Sequence, residues 1–211
     1  MAEGKKPYPA TLSIDYPDRE LNRLTSFFRL ITIIPIAVIL FLVSGAVWRL
    51  GERGEQVVIA VSAGGILFLA TVLMLVFRQK YPRWWFDWNV GLTKFGTRVG
   101  AYLALLRDEY PSTDEEQAVH IDIPYPDAKK DLNRWLPLVK WLLAIPHYIV
   151  LFFLAIAAFF VVVVAWFAIL FTGLYPKGMF GFVVGVMRWG LRVSAYAALL
   201  TTDEYPPFTL E

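Results

Sequence analysis

The residues best suited to chemistry in this sequence are four basic side chains on two apolar segments. Lys94 and Arg98 lie four residues apart in one segment, and Arg188 and Arg192 have the same spacing in the other. A spacing of four places both cations of a pair on one face of a helix. The favoured interpretation is that each stripe solvates one face of an interfacial helix, and the functional hypothesis is that the four residues bind anionic lipid or a small anion.

Several cations in the second half of the chain lack an acidic partner close in sequence. No Asp or Glu occurs between Asp131 and Asp203. Because the cytoplasmic leaflet presents negative headgroups to nearby bases, we expect lipid phosphates to neutralise these cations. They are Lys140, Lys177, Arg188 and Arg192.

The other candidates for chemistry are two histidines and two acidic pairs. His147 follows Pro146 in an apolar stretch, where it can ligate haem or a pigment or, as the favoured interpretation, hydrogen-bond to backbone at the membrane interface. The adjacent acids at 108–109 and 203–204 point apart on a helix, so we interpret them as solvated helix ends or partners of basic groups. With no cysteine and two isolated histidines, the sequence predicts no metal site, no cofactor and no enzyme activity.

Composition indicates that lipid is the solvent of much of this chain. Of its 211 residues, 57% are hydrophobic and 18% are charged. Soluble domains are about 25% charged, so the surplus of apolar surface is large. The formal net charge of +2 is too small to indicate nucleic-acid binding. We therefore predict an integral membrane protein that binds no nucleic acid.

The sequence contains two diverged copies of one unit. Tyr-Pro-Asp followed by Leu-Asn-Arg occurs within residues 16–23 and again within 125–134. A longer correspondence joins residues 81–106 to 175–200 without a gap and keeps the basic pairs in phase. Self-similarity of this kind predicts a tandem duplication. The copies are residues 1–111 (repeat 1) and 112–211 (repeat 2).

Long uncharged stretches in each repeat predict the membrane segments. Repeat 1 has two predicted spans, at about residues 27–48 and 56–78, joined by a charged link at 49–55. Each span is long enough to cross a hydrocarbon core of about 30 Å. In repeat 2 the membrane segment covers about residues 135–173, as a hairpin of two short helices or as a single span. The repeat favours the hairpin, although a turn at membrane depth without glycine would leave backbone groups unpaired.

Each repeat ends in a predicted amphipathic helix, at residues 84–106 and 178–200. Residues 11–15 and 119–123 alternate apolar and polar side chains as strands do, and residues 207–210 are a third strand candidate. The predicted fold is an all-α integral membrane protein. It is a tandem duplication of a membrane helical hairpin and an amphipathic helix, with short strand-like segments on the cytoplasmic side.

Aromatic and basic residues give the expected orientation. Tryptophan favours the membrane–water boundary, so six tryptophans are predicted interfacial anchors. Basic residues concentrate on the side that carries both termini, which predicts a multi-pass protein with both termini in the cytoplasm. The anchors are Trp84, Trp85, Trp88, Trp135, Trp141 and Trp189.

Five stretches carry a family resemblance: LPLVKWLLAIPH (136–147), AWFAILFTG (165–173), YPKG (175–178), RVSAY (192–196) and DEYPPF (203–208). They resemble a bacterial membrane family catalogued as domain of unknown function 4389. The resemblance implies a multi-helix protein of the bacterial cytoplasmic (inner) membrane and no assigned activity. It is partial in repeat 1, where Ile36 stands at the position that His147 holds in repeat 2.

Two functional classes follow from the sequence. The first is a non-enzymatic structural or accessory membrane protein, self-associating or part of a larger membrane complex, whose amphipathic helices engage anionic lipids of the cytoplasmic leaflet. The second is a binder or carrier of an anionic lipid or small anionic solute through the stripes. A polar cavity lined by the four stripe residues favours the second class, and stripes lying flat on the leaflet favour the first.

Overall fold

The computed structural model describes residues 7–50 and 57–211, and it describes the side chains of residues 7–40 and 67–211. The described chain is mostly helical, as the sequence predicts. The strands are β1 Thr11–Ile14, β2 Gly45–Leu50, β3 Val57–Ser62 and β4 Val119–Asp122. The α-helices are α1 Arg23–Phe27, α2 Arg29–Thr32, α3 Ile34–Ser44, α4 Ala63–Arg78, α5 Arg83–Leu103, α6 Lys140–Leu143, α7 Ile145–Thr172 and α8 Lys177–Ala197, and a 3-10 turn covers Leu136–Leu138.

Two of the three predicted strands are present and pair with each other. β1 and β4 are antiparallel, with Leu12 opposite Ile121. Side chains alternate between exposed and buried along both strands, because successive residues of a strand point to opposite faces. The apolar face therefore covers the core and the polar face is exposed. The third candidate, residues 207–210, is not a strand but an irregular tail.

Most of the segment at 135–173 is one continuous helix, α7, preceded by the short elements at Leu136–Leu138 and Lys140–Leu143, so the predicted hairpin is wrong. α7 has 28 residues and is about 42 Å long at 1.5 Å per residue. Pro146 lies in the first turn of α7, where backbone N–H groups have no partner within the helix, so the missing N–H of proline breaks no helical hydrogen bond. Gly173 ends the helix in the left-handed region at φ 77°. Between Pro146 and Gly173 no glycine or proline interrupts the helix. The continuous helix pairs the backbone N–H and C=O groups that a turn would leave without hydrogen-bond partners.

The two spans predicted for repeat 1 have different bounds in the structure. α3 ends at Ser44 and α4 begins at Ala63, and the chain between them includes the antiparallel pair β2 and β3. The predicted spans, which ran as helices to residue 48 and from residue 56, are therefore wrong at their inner ends. Residues 57–61 are Val, Val, Ile, Ala and Val, and β-branched residues favour extended backbone. Residues 51–56 of the predicted charged link lie outside the described residues.

Helices α5 and α8 occupy the two segments that carry the basic stripes, and both have 21 residues. Each begins directly after a Tyr-Pro pair, because proline suits the start of a helix and disfavours helical backbone in the residue before it. A left-handed residue follows each helix, Leu105 at φ 62° and Leu200 at φ 57°. The helices consequently end three residues earlier than predicted.

The main core lies between the small sheet, α8 and the second half of α7. Leu12 and Ile121 from the strands, Val184 from α8 and Ile169 from α7 belong to this buried cluster. Two smaller clusters join α5 to α3 and α8 to the start of α7. Helix α8 thus has the sheet on one side and α7 on the other.

Candidate membrane interface

Most of α7 faces outward although its side chains are apolar. Only 6% of its most apolar stretch is buried. A surface helix in water carries polar residues on its outer face, yet residues 148–171 include no charged side chain. An apolar surface of this length suits lipid or another hydrophobic partner. The exposed phenylalanines of α7 are Phe152, Phe153, Phe159, Phe160, Phe167 and Phe171.

The inner side of α7 packs along α8. Near the start of α7, Leu151 and Leu154 pack in one cluster with Trp189 and Val193 of α8. Near its end, Ile169 is fully buried in the main core. Because α8 follows α7 after a short turn, these contacts show two antiparallel helices packed along their length.

The predicted tryptophan anchors have different environments. Trp84, Trp88, Trp135 and Trp141 are exposed, so their role as anchors stays a prediction. Trp85 is partly buried, and its Nε1–H donates a hydrogen bond of 2.9 Å to Thr71 Oγ1 of α4.

Trp189 is not an interfacial side chain, because it lies 5% exposed against the start of α7. Its Nε1–H donates to His147 Nδ1 over 3.1 Å. The His147 ring is fully buried and stacks on Phe208 with a centroid distance of 4.0 Å. His147 Nε2 has no hydrogen-bond partner among the described side chains and backbone. This enclosed ring has the environment of a packed core histidine, with an indole rather than backbone as its partner.

The basic stripe of α8 faces the protein rather than an open surface. Arg188 donates to the carbonyl oxygens of Leu12 at 2.9 Å and Leu210 at 3.2 Å. Arg192 donates to the carbonyl oxygens of Thr209 and Glu211. Burial, followed by the charge of Arg188, lowers the pKa of Arg192. The stripe of repeat 2 thus attaches β1 and the C-terminal tail to α8.

The stripe of α5 has a more open setting. Arg98 donates a hydrogen bond of 2.8 Å to the Ser112 carbonyl oxygen. Lys94 and Arg98 line a cleft of about 240 Å³ whose wall also includes Glu116 and Asp122. The two carboxylates offset the positive charge of the cleft. The four stripe residues therefore do not form one shared cavity: α5 and α8 each direct their pair at a different part of the chain.

A glycine on α8 makes room for the tail. A Cβ at Gly185 would lie 2.8 Å from the Leu210 carbonyl oxygen, whereas a Cβ at Gly91, the corresponding position of α5, would meet nothing within 4 Å. We predict that Gly185→Ala costs about 1–3 kcal/mol through overpacking or releases the tail. Gly91→Ala is the matched control and should stabilise α5 by about 0.5–1 kcal/mol. Thermal unfolding and limited proteolysis of the C-terminus measure both, and equal behaviour of the two variants would contradict the role of Gly185.

A buried ion pair lies at the start of α7. Lys140 Nζ is 2.6 Å from Asp203 Oδ1 and also donates to the Thr202 carbonyl oxygen at 2.6 Å. Asp203 Oδ2 accepts the Asn133 backbone N–H at 2.5 Å. Burial lowers the pKa of Lys140, and the hydrogen bond and charge of Asp203 oppose that change. The expectation of a lipid partner for Lys140 is wrong, because a carboxylate beyond the end of α8 neutralises it.

A second buried ion pair has the same design. Arg29 Nη2 is 2.6 Å from Asp108 Oδ1, and Arg29 Nη1 donates to the Arg107 carbonyl oxygen at 3.0 Å. Asp108 Oδ2 accepts the Asn22 backbone N–H at 2.6 Å. The guanidinium carbon lies 3.9 Å from the centre of the Tyr102 ring. Of the two interpretations of the acidic pairs at 108–109 and 203–204, the structure shows the partner of a basic group for Asp108 and Asp203. In both cases the cation lies seven residues after the asparagine of Leu-Asn-Arg.

The arrangement defines the class of this protein. It is a mostly helical chain with small antiparallel sheets, and among the described residues one helix, α7, is long and apolar enough to cross a membrane. No group of three histidine or carboxylate side chains suited to a metal ion occurs in the described part of the chain.

The second half of the chain carries the family assignment. Residues 135–209 match the family described as Domain of unknown function (DUF4389). The match supports the resemblance seen in these residues, and a resemblance of residues 1–111 to the same family stays a prediction. No curated protein and no solved structure matches the chain.

Proposed function

We propose that the chain is a non-enzymatic structural or accessory membrane protein, whose apolar face on α7 binds lipid. The exposed phenylalanines of that face are the observation that carries the proposal. Burying a phenylalanine side chain is favourable by about 1.5–3 kcal/mol, so several of them on one face provide ample energy for stable association. The stripe arginines of α8 support a structural role, because they donate hydrogen bonds to backbone carbonyl oxygens of the protein itself.

We further propose that the chain is a tandem duplication with an internal two-fold relation, and reciprocal contacts support it. Tyr16 donates through its hydroxyl to the Tyr175 carbonyl oxygen at 2.5 Å, and Tyr125 donates to the Tyr81 carbonyl oxygen. Each of these donor rings also packs edge-on against a phenylalanine of the other repeat, at 5.1 Å in both cases. Such an exchange is what a two-fold relation produces. The two phenylalanines are Phe180 and Phe86.

Other paired features support the same relation. Leu12 and Ile121, which pair across the sheet, occupy corresponding positions of the two repeats. Gln79 and Gly173 both have positive φ, and each lies two residues before the Tyr-Pro pair that precedes its helix. The two buried ion pairs have equal lengths of 2.6 Å and the same backbone donor type. Random packing of unrelated segments would not repeat these details.

The proposal includes a location and partners. Basic residues concentrate on the side of the protein that carries both termini. This distribution favours placing that side at the cytoplasmic face of a bacterial inner membrane, with both termini in the cytoplasm. Anionic lipids are the proposed partners, and self-association or a larger membrane complex is the proposed context. The number of membrane crossings is a separate property, since one apolar face can meet lipid either across a bilayer or along it.

Vesicle flotation tests the lipid contact. The full chain is synthesised cell-free with vesicles of phosphatidylethanolamine and phosphatidylglycerol and then floated on a density gradient. We expect Phe153→Glu with Phe160→Glu to lower the membrane-bound to free ratio at least tenfold, because two apolar anchors become charges. Thr11→Glu with Ser13→Glu adds the same charge on the exposed sheet face and should float like the parent chain. Unchanged flotation of the phenylalanine variant would exclude α7 as the lipid-binding face.

A narrower second function rests on the cleft beside α5. Lys94 and Arg98 line it, and within the described part of the chain no carboxylate lies at ion-pair distance from Lys94. A small anion that also accepts hydrogen bonds fits this cleft better than a lipid. Equilibrium dialysis with inorganic phosphate tests it, with Lys94→Gln as the variant and Lys129→Gln, an exposed lysine elsewhere, as the control. Equal phosphate binding by the two variants would exclude the site.

A further inference from the structure

We propose that α7 lies along one leaflet of the bilayer, in the membrane plane, rather than across it. This inference rests on the proposed lipid contact of α7 and concerns how that contact is made. It differs from the multi-pass arrangement that hydropathy suggests. Its basis is the direction of the water-exposed elements that are packed parallel to α7.

The first step is that α8 shares the direction of α7. His147 at the start of α7 accepts a hydrogen bond from Trp189, while the two helices are joined at the other end of α7 by residues 173–176. At 1.5 Å per residue, α8 is about 31 Å long, which equals the hydrocarbon thickness of about 30 Å. If α7 crossed the bilayer, α8 would cross beside it.

The second step is that strand β1 and its flanks follow α8. Tyr8 donates its hydroxyl hydrogen to the Arg192 carbonyl oxygen, Leu12 accepts from Arg188, and Tyr16 packs on Phe180. From residue 8 to residue 16, the contacted residue of α8 moves steadily from 192 to 180, so β1 and its flanks run antiparallel to α8. That stretch of helix is about 18 Å long. A crossing α7 would therefore carry β1 through more than half of the hydrocarbon core.

The third step is that the outer face of the sheet requires water. Thr11 and Ser13 are exposed on β1, and His120 on β4 pairs with Asp15 over 3.0 Å while both side chains stay more than half exposed. Exposed charges inside hydrocarbon cost several kcal/mol each. The sheet must therefore lie outside the membrane. Since β1, α8 and α7 are parallel layers, the membrane plane lies parallel to all three.

The fourth step is the composition around the apolar face. Trp135 and Trp141 are exposed near the start of α7, and exposed Arg23 lies on α1, which packs on the far end of α7. Indole rings favour the headgroup boundary, and arginine complements anionic headgroups. Both ends of α7 thus lie at a headgroup boundary. The water-exposed sheet face that packs parallel to α7 places both ends at the same boundary.

Depth measurements test the inference. Phe153, Phe160 and Phe171 share one exposed face of α7, since steps of seven and eleven residues return to nearly the same direction on a helix. The chain has no cysteine, so each position is replaced singly by cysteine and spin-labelled in the phosphatidylethanolamine–phosphatidylglycerol vesicles. The depth of each spin label is measured from its collisions with oxygen and with a nickel chelate. An in-plane helix gives three equal, shallow depths. A crossing helix gives three different depths: residue 160 is deepest, and residues 153 and 171 are displaced from it along the bilayer normal by about 10 Å and about 16 Å in opposite directions.

Sidedness provides a second readout. Glu20 lies beside the end of α7 at Gly173, and Glu204 lies next to the ion pair at its start. Both are exposed, so Glu20→Cys and Glu204→Cys leave the core intact. We expect a membrane-impermeant maleimide to label both from the same side of sealed vesicles and to equal extents. Labelling from opposite sides, or a deep centre of α7, would overturn the in-plane inference alone. Three labels that are all exposed to water and insensitive to lipid would overturn the proposed lipid contact as well.

Discussion

Asp203→Ala should lower the free energy of unfolding by about 3–5 kcal/mol, because it leaves the buried Lys140 ammonium without a counter-charge. The Lys140 side chain has no exposed surface, and its remaining described partners are the Thr202 carbonyl oxygen and the Tyr196 ring, whose centre lies 5.1 Å from Nζ. The Asn133 backbone N–H also loses its acceptor. Urea unfolding in detergent micelles, followed by tryptophan fluorescence, measures the loss.

Removing the charge as well as its partner should restore most of the stability. Lys140→Met with Asp203→Ala carries no uncompensated charge, and replacing a buried ion pair by apolar side chains is often neutral. Asp131→Ala is the surface control, since Asp131 is exposed. A double variant as unstable as Asp203→Ala would show that the loss comes from the Asn133 contact and not from the lysine charge.

The same variant should have an altered pH dependence. Burial lowers the pKa of Lys140 and Asp203 raises it, so the folded pKa falls further when Asp203 is removed. The unfolded chain keeps the ordinary lysine value of 10.5 and binds the proton that the folded state loses. Unfolding free energy of Asp203→Ala therefore rises with pH from the folded pKa up to that value. A flat profile between pH 7 and 10 in this variant would show that folded Lys140 keeps its proton up to its ordinary pKa, and it would contradict the lowering of that pKa by burial.

Trp189→Ala should cost about 3–5 kcal/mol, the usual range for removing a large buried aromatic side chain. Trp189 is 5% exposed and fills the space between α8 and the start of α7. It also supplies the hydrogen-bond donor to His147 Nδ1. The loss of unfolding free energy therefore has two sources, the cavity left by the indole and the missing hydrogen-bond donor to His147 Nδ1. The same micelle unfolding assay measures it.

The proposed duplication supplies a control that separates these contributions. At the corresponding positions repeat 1 has Ile36 and Phe95, which pack together in a cluster without a polar contact. Trp189→Phe keeps most of the volume and leaves His147 Nδ1 without a donor, at a cost of about 1–3 kcal/mol. Adding His147→Ile recreates the pair of repeat 1 and should recover that loss. No recovery would show that the hydrogen bond contributes little and that volume dominates.

Local sequence patterns were sufficient for the elements that depend on near neighbours. Alternation along residues 11–15 and 119–123 predicted both strands, because the period of a strand is fixed by its backbone. Tyr-Pro pairs marked the starts of α5 and α8 because proline constrains its neighbour directly. The predicted hairpin in residues 135–173 is wrong because residues 147–172 contain no glycine or proline at which the chain could turn.

Partners distant in sequence were decided by the tertiary structure. The spacing of Arg188 and Arg192 fixes that they share a helix face, but whether that face meets lipid, water or protein depends on what packs there. Here β1 and the tail fill it with carbonyl oxygens. Lys140 likewise finds Asp203 only because α7 and α8 are antiparallel and bring their ends together.

The sequence by itself therefore determined strands β1 and β4, the starts of α5 and α8 and the spacing of the stripes, all of which depend on contacts within a few residues. Only the tertiary structure decided that α7 is one exposed helix, that Trp189 is buried, and that the stripe of α8 binds the protein's own backbone. The physical reason is that helix periodicity assigns side chains to faces, whereas long-range packing determines what each face meets.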